Sequence, residues 1–155
     1  ASIHRGFLRI PGETDLDKLE TLCAIARIAP EGDVGEIGSL YGRSAYALGR
    51  LAGAYGIGSC IAIDPWAMAS AEDQGEQAQI LRLGLPFIDL EHVFAEFLAT
   101  AAEVPGMSYI RLPSDIAIRE YSECARRRLL AASQNAPNYL KRKKKQLQKK
   151  PERKC

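Results

Sequence analysis

Two acids at the ends of short apolar runs are the residues best placed to do chemistry in this chain. Gly32-Asp33-Val34-Gly35-Glu36-Ile37 leads into Gly38-Ser39-Leu40-Tyr41-Gly42-Arg43-Ser44, and Cys60-Ile61-Ala62-Ile63 ends in Asp64-Pro65-Trp66. Each apolar run reads as a strand, and the first passes through a glycine turn directly into an Ala- and Leu-rich helical segment. In an α/β sheet this succession turns the backbone at a strand's carboxyl end and aims a helix N-terminus at a ligand. Exposed amides there favour a carboxylate or phosphate. Gly38 stands where a ligand's polar end approaches the backbone and a Cβ would clash. Gly42 starts the helical turn, and Ser44, in its first turn, offers a hydroxyl free to bind an anion. Ser39 joins them as a cofactor-binding candidate. Glu36 adds a demand of its own, because a strand-end carboxylate faces a phosphate poorly and an ammonium well. Asp64, at the end of the second run, lies within reach of ribose hydroxyls.

The elements that must hold these groups follow from periodicity. Thr14 and Asp17 resemble a capping box that opens a helix carrying Leu16, Leu19, Leu22, Cys23, Ile25 and Ala26, closed by Pro30. Strands are predicted at 33–38, 59–64 and 107–112, with a helix at 43–55 between the first two. Gly49 and Gly53 lie four apart on that helix and are expected to let it sit close to the sheet. Further helices are predicted at 77–83, at 87–103 and from about 115. The 87–103 helix carries an apolar stripe of Leu90, Phe94, Phe97, Leu98 and Ala101. Strands alternating with helices imply parallel pairing and a three-layer α/β sandwich, with the strands in the order third, second, first.

Length and composition bound the alternatives. A chain of 155 residues with 46% hydrophobic and 26% charged residues fits one globular domain, here placed at 1–135 with a basic tail at 136–155. No apolar run approaches the ~20 residues that span a bilayer, and no basic flank precedes an apolar core at the N-terminus, so a cytoplasmic protein is expected. Cys23, Cys60, Cys124 and Cys155 lack C-x-x-C spacing and read as free thiols. Neither His4 nor His92 is placed as a base or ligand, and no metal site is expected. The net charge of +2 hides a residue 1–120 body of −8 and a residue 121–155 tail of +10. Such a tail can grip nucleic acid, giving the alternative of a non-catalytic nucleotide-binding module with a nucleic-acid-binding arm. The tail lacks interleaved aromatics, which argues against that role. Tyr41 and Tyr46 either line the pocket or pack behind it.

Ligands that combine ammonium, carboxylate, ribose and adenine are few, and S-adenosylmethionine is the commonest. Glu36-Ile-Gly38-Ser-Leu-Tyr-Gly42-Arg-Ser44 resembles the E-x-G-x-x-x-G-x-S form of motif I in class I S-adenosylmethionine-dependent methyltransferases, nearest to the catechol-type and macrocin-type O-methyltransferases. The commoner D/E-x-G-x-G-x-G form has its middle glycine where this chain has Leu40. Ile63-Asp64-Pro65-Trp66 is similar to the second motif of that family. A dinucleotide site would need G-x-G-x-x-G, and this chain has G-x-x-x-G. The resemblance covers residues 12–120 and implies a Rossmann-like fold incomplete in its C-terminal half. It implies that Gly38 lies against the methionine part, that Ser44 bonds the carboxylate and that Asp64 takes both ribose hydroxyls. Pro65 and Trp66 would line the adenine, and Ser114 would stand near its edge. The family's fourth strand, commonly ending in an I-D-G-D-H-like setting, has no counterpart here. A truncated or inactive relative of enzymes that methylate small molecules is therefore expected, with an exposed sheet edge open to self-association.

Overall fold

The computed structural model describes residues 3–67 and 87–122. Two short helical pieces lead in, α1 (Ile3–Arg9) and α2 (Leu16–Ala26), followed by β1 (Val34–Ile37), α3 (Arg43–Tyr55), β2 (Cys60–Ile63), α4 (Leu90–Ala102) and β3 (Met107–Ile110). Residues 114–122 are helical again. The helix expected at 77–83 and the basic tail lie outside the described residues. Among the described residues no helix is long and apolar enough to cross a membrane. The chain divides into two compact units, 1–117 and 118–155, and the elements above up to β3 all belong to the first.

The three strands form one parallel sheet in the order β1-β2-β3, as the sequence predicts. Val34 pairs with Cys60 and Glu36 with Ala62, while Cys60 pairs with Met107 and Ala62 with Tyr109. Side chains alternate across a strand, so Glu36, Ala62 and Tyr109 share one face, and Ile37, Ile63 and Ile110 the other. Ala45 of α3 and Val93 and Phe97 of α4 meet Ala62 and Trp66 in a single buried cluster, so both helices lie on the Glu36 face. A second cluster joins Phe7, Ile10 and Leu19 to Tyr46, Ala47 and Val104, which clamps α1 and α2 onto the outside of α3. Among the described residues, the sheet and the helices on its Glu36 face make two of the three layers expected, and Ile61 and Ile63 on the opposite face are buried as well.

Local chemistry sets where the helices begin. The cap of α2 is Asp15, whose carboxylate accepts from the Lys18 N–H at 2.8 Å, and not the expected Thr14–Asp17 box. Asp15 stands directly before the helical turn, so its short side chain reaches the orphan amide that Thr14 cannot. The helix ends at Ala26 with Arg27 as its cap, four residues before Pro30. The α4 start is delayed to Leu90 because Asp89 caps it, accepting from the Glu91 and His92 amides. Its buried line is Val93, Phe97 and Thr100, with Phe94 packed beside it. Leu98, expected in the stripe, is 38% exposed.

The two α3 glycines differ. A Cβ on Gly49 would stand 2.6 Å from Val104 Cγ1 and 3.3 Å from Cys60 Cβ, whereas one on Gly53 meets nothing within 4 Å. Only Gly49 is required by close approach to the sheet. Gly49→Ala should lower stability by a net of about 1–2 kcal/mol, the cost of overpacking exceeding the helix-propensity gain. Gly53→Ala should raise it by up to about 1 kcal/mol. Urea denaturation midpoints of the two variants should move in opposite directions, and a shared direction would refute the assignment.

Candidate functional site

The strand-end acid Glu36 is 9% exposed and lies at the N-terminal turn of α3. Gly42, the residue capping that helix, has φ +86° and no side chain with which to satisfy the first amides. Glu36 does this from the neighbouring strand, since its carboxylate accepts a hydrogen bond from the Ala45 backbone. It also accepts from the hydroxyls of Ser39, at 2.6 Å, and Ser44. Ser44 is therefore not free to bind an anion, contrary to expectation: a buried carboxylate requires donors, and the two nearest hydroxyls are directed at it. No salt bridge joins Glu36 to a cation among the described residues. Burial raises its pKa, the hydroxyl and amide bonds only partly opposing, and the nearby charge of Asp64 raises it further. Behind it, burial and then the charge of Glu36 push the Cys60 thiol up to about 11.

The turn between β1 and α3 is fixed from the next strand. One oxygen of Asp64 accepts from the Leu40 N–H at 3.0 Å and the other from the Trp66 N–H at 2.8 Å, while the Trp66 indole Nε1–H donates to the Leu40 carbonyl at 2.8 Å. Leu40 and Trp66 have φ +47° and +42°, a region side chains disfavour. Gly38, at φ +81°, has open space where its Cβ would be, and its N–H donates to the Ile63 carbonyl. The Trp66 ring is 2% exposed and lies against Phe94 and Phe97, with centroids 4.9 and 4.6 Å away. It is thus turned into the core. Pro65 is half-buried beside it, and Ser114 is half-buried at the start of the helical residues after β3.

A groove of about 350 Å³ opens in front of Glu36 and Ser44, with Leu48 on the α3 side. Its other wall is Thr14, Lys18, Thr21 and Leu22. Of the nine residues nominated from sequence, Glu36 and Ser44 line this groove. Ser39 and Asp64 brace it from behind, through Glu36 and Leu40 respectively. Ser114 is not part of it. The α2 wall was missed because α2 was read by its apolar positions alone, although 14, 18, 21 and 22 form a helical stripe. Arg43 was missed as well. Its guanidinium donates to the Ile10 carbonyl and, at 3.0 Å, to the Thr14 carbonyl, and stacks over Phe7. That anchors the α1–α2 connection across the start of α3.

The two tyrosines are now distinguished. Tyr46 is buried in the α1–α2–α3 cluster. Tyr41 lines a separate cavity of about 260 Å³ with Pro11 and Thr100, whose rim carries the Arg9–Glu103 pair, with Arg9 Nη2 donating to both carboxylate oxygens. Among the described residues no group of three or more His, Cys, Asp or Glu is arranged to hold a metal. Comparison with known proteins finds no matching family model, no matching curated protein and no matching solved structure.

The raised pKa of Glu36 has a definite sign. The folded protein holds this proton more tightly than the unfolded chain does. The resulting stability is full below the ordinary glutamate pKa and is lost as pH rises through the raised value. Glu36→Gln keeps the shape and removes the charge, its amide oxygen accepting on one side and its NH2 donating to the hydroxyl on the other. Its stability relative to the parent should therefore increase from pH 4 to pH 8, read from urea midpoints. A difference that does not change with pH would show that the buried charge carries no such penalty.

Proposed function

We propose that this domain binds S-adenosylmethionine as class I methyltransferases do, on a Rossmann-like sheet, and is a relative of enzymes that methylate small molecules. The observation that carries the reading is Glu36, a buried carboxylate with three donors and no cationic partner among the described residues, facing a groove of about 350 Å³. An ammonium entering the groove supplies the missing charge. Asp64 ends the adjacent strand, and each of its oxygens keeps acceptor capacity beyond the one amide it bonds, which suits ribose hydroxyls. Leu40 gives further support. It adopts a left-handed conformation at the position where the commoner motif has glycine. The residues present thus fit the cofactor's methionine and ribose parts. When bound, the cofactor supplies a methyl group activated by its sulfonium.

Calorimetry with S-adenosylmethionine and with 5′-methylthioadenosine, which keeps ribose and adenine but lacks the amino-acid end, separates the two acids. Glu36→Gln should weaken S-adenosylmethionine about ten-fold or more, the scale of a hydrogen bond between charged groups, and leave methylthioadenosine unchanged. Asp64→Ala should weaken both ligands. Because that variant also releases the Leu40 and Trp66 amides, near-ultraviolet dichroism of the single tryptophan must show that the fold persists. Absence of S-adenosylmethionine binding to the unaltered chain would refute the proposal.

A further inference from the structure

The groove carries a cation that the motif resemblance does not account for. Lys18, in the first turn of α2, lines it together with Glu36 and Ser44. The Lys18 backbone is anchored, since its N–H is held by Asp15, so the side chain starts from a fixed point. Its ammonium is only loosely engaged: Asp15 Oδ2 stands 4.0 Å away, and both side chains are more than 60% exposed. Exposed pairs of this kind are weak and give way easily to a better anion. The wall itself is held by Arg43, which grips the Thr14 carbonyl four residues before Lys18.

The rest of the groove leaves a carboxylate few other partners. Ser39 and Ser44 each have one hydroxyl hydrogen, and both are directed at Glu36. The Ala45 amide of the α3 N-terminus is bonded to the same acid, and the Tyr46 amide to the Gly42 carbonyl. Thr14, Thr21, Leu22 and Leu48 complete the lining and bring no charge. One negative and one positive group therefore share a small groove, the negative one buried and fixed and the positive one on a long, exposed side chain.

We propose that the groove reads the α-amino-acid end of its ligand as a charge pair, the ammonium by Glu36 and the carboxylate by Lys18, which makes Lys18 a specificity-determining residue. This assignment rests on the S-adenosylmethionine reading and departs from what the motif resemblance implies for Ser44. An exposed ammonium on a long side chain suits the role, because it can meet the carboxylate without any rearrangement of the buried acid.

The test is calorimetric titration of the full chain and of Lys18→Met with S-adenosylmethionine and with decarboxylated S-adenosylmethionine. The second ligand keeps the sulfonium, ribose, adenine and ammonium and lacks only the carboxylate. Lys18→Met should weaken S-adenosylmethionine about ten-fold, the scale of one charge-assisted hydrogen bond. It should leave the decarboxylated ligand within about two-fold, and Lys18→Arg should restore most of the loss. Equal affinity of parent and variant for S-adenosylmethionine overturns the assignment of Lys18 while leaving the cofactor reading intact. Equal losses for both ligands overturn it too, by showing that Lys18 does not read the carboxylate. If the parent chain binds neither S-adenosylmethionine nor S-adenosylhomocysteine, the cofactor reading fails and this inference with it.

Discussion

The bridge made by Asp64 governs the geometry of the whole carboxyl edge. A single carboxylate holds the amide of Leu40 with one oxygen and that of Trp66 with the other, tying the loop after β1 to the loop after β2. Both residues sit in left-handed backbone, a conformation that costs of order 1–2 kcal/mol each for a residue with a side chain. Three hydrogen bonds oppose that cost, including the one from the Trp66 indole to the Leu40 carbonyl. Burial of the indole against Phe94 and Phe97 contributes more. The turn that carries Ser39 and Gly42 is thereby locked, and α3 starts where Glu36 can reach it.

Glu36 then does what a capping side chain would do for α3. Because the cap position is glycine, a residue from the sheet satisfies the Ala45 amide, and strand and helix are joined at the point where the groove opens. A neutral acceptor would serve that structural purpose as well. The carboxylate instead stays buried, where its pKa is raised, beside the groove. Arg111 does similar joining work at the carboxyl end of β3. It stacks 4.3 Å over Phe94, pairs with Glu91 of α4, and so holds the start of that helix against the aromatic cluster.

Much of this was legible in the sequence because the signals are local. The strands, the helix after the glycine turn and the parallel order all follow from short periodic runs and their alternation. A close approach by small residues of α3 was legible for the same reason, but the signal chose Gly53 along with Gly49, and only Gly49 is closely approached by neighbouring elements. What escaped were pairings between distant segments. Nothing near Ser44 announces that its hydroxyl will turn back to Glu36, eight residues earlier. Nothing in Asp64-Pro65-Trp66 says that the indole will face inward, because the direction is set by the Leu40 carbonyl 26 residues away. On α2 the groove is met by Lys18 and Thr21, which lie off the helix's apolar face, together with Leu22 at its border.

Cys60 turns the packing of α3 on the sheet into something with a clock. Its side chain is 2% exposed, its thiol hydrogen bonds to the Ala45 carbonyl, and its pKa is pushed up to about 11. A thiol in that state does not meet an alkylating reagent as a thiolate. Labelling at Cys60 requires α3 to lift from β2, whereas Cys23 on α2 is half-buried and needs no such opening. The rate of modification at Cys60 thus measures local unfolding of the helix that begins at Glu36, and ties the kinetics of that opening to the occupancy of the groove in front of it.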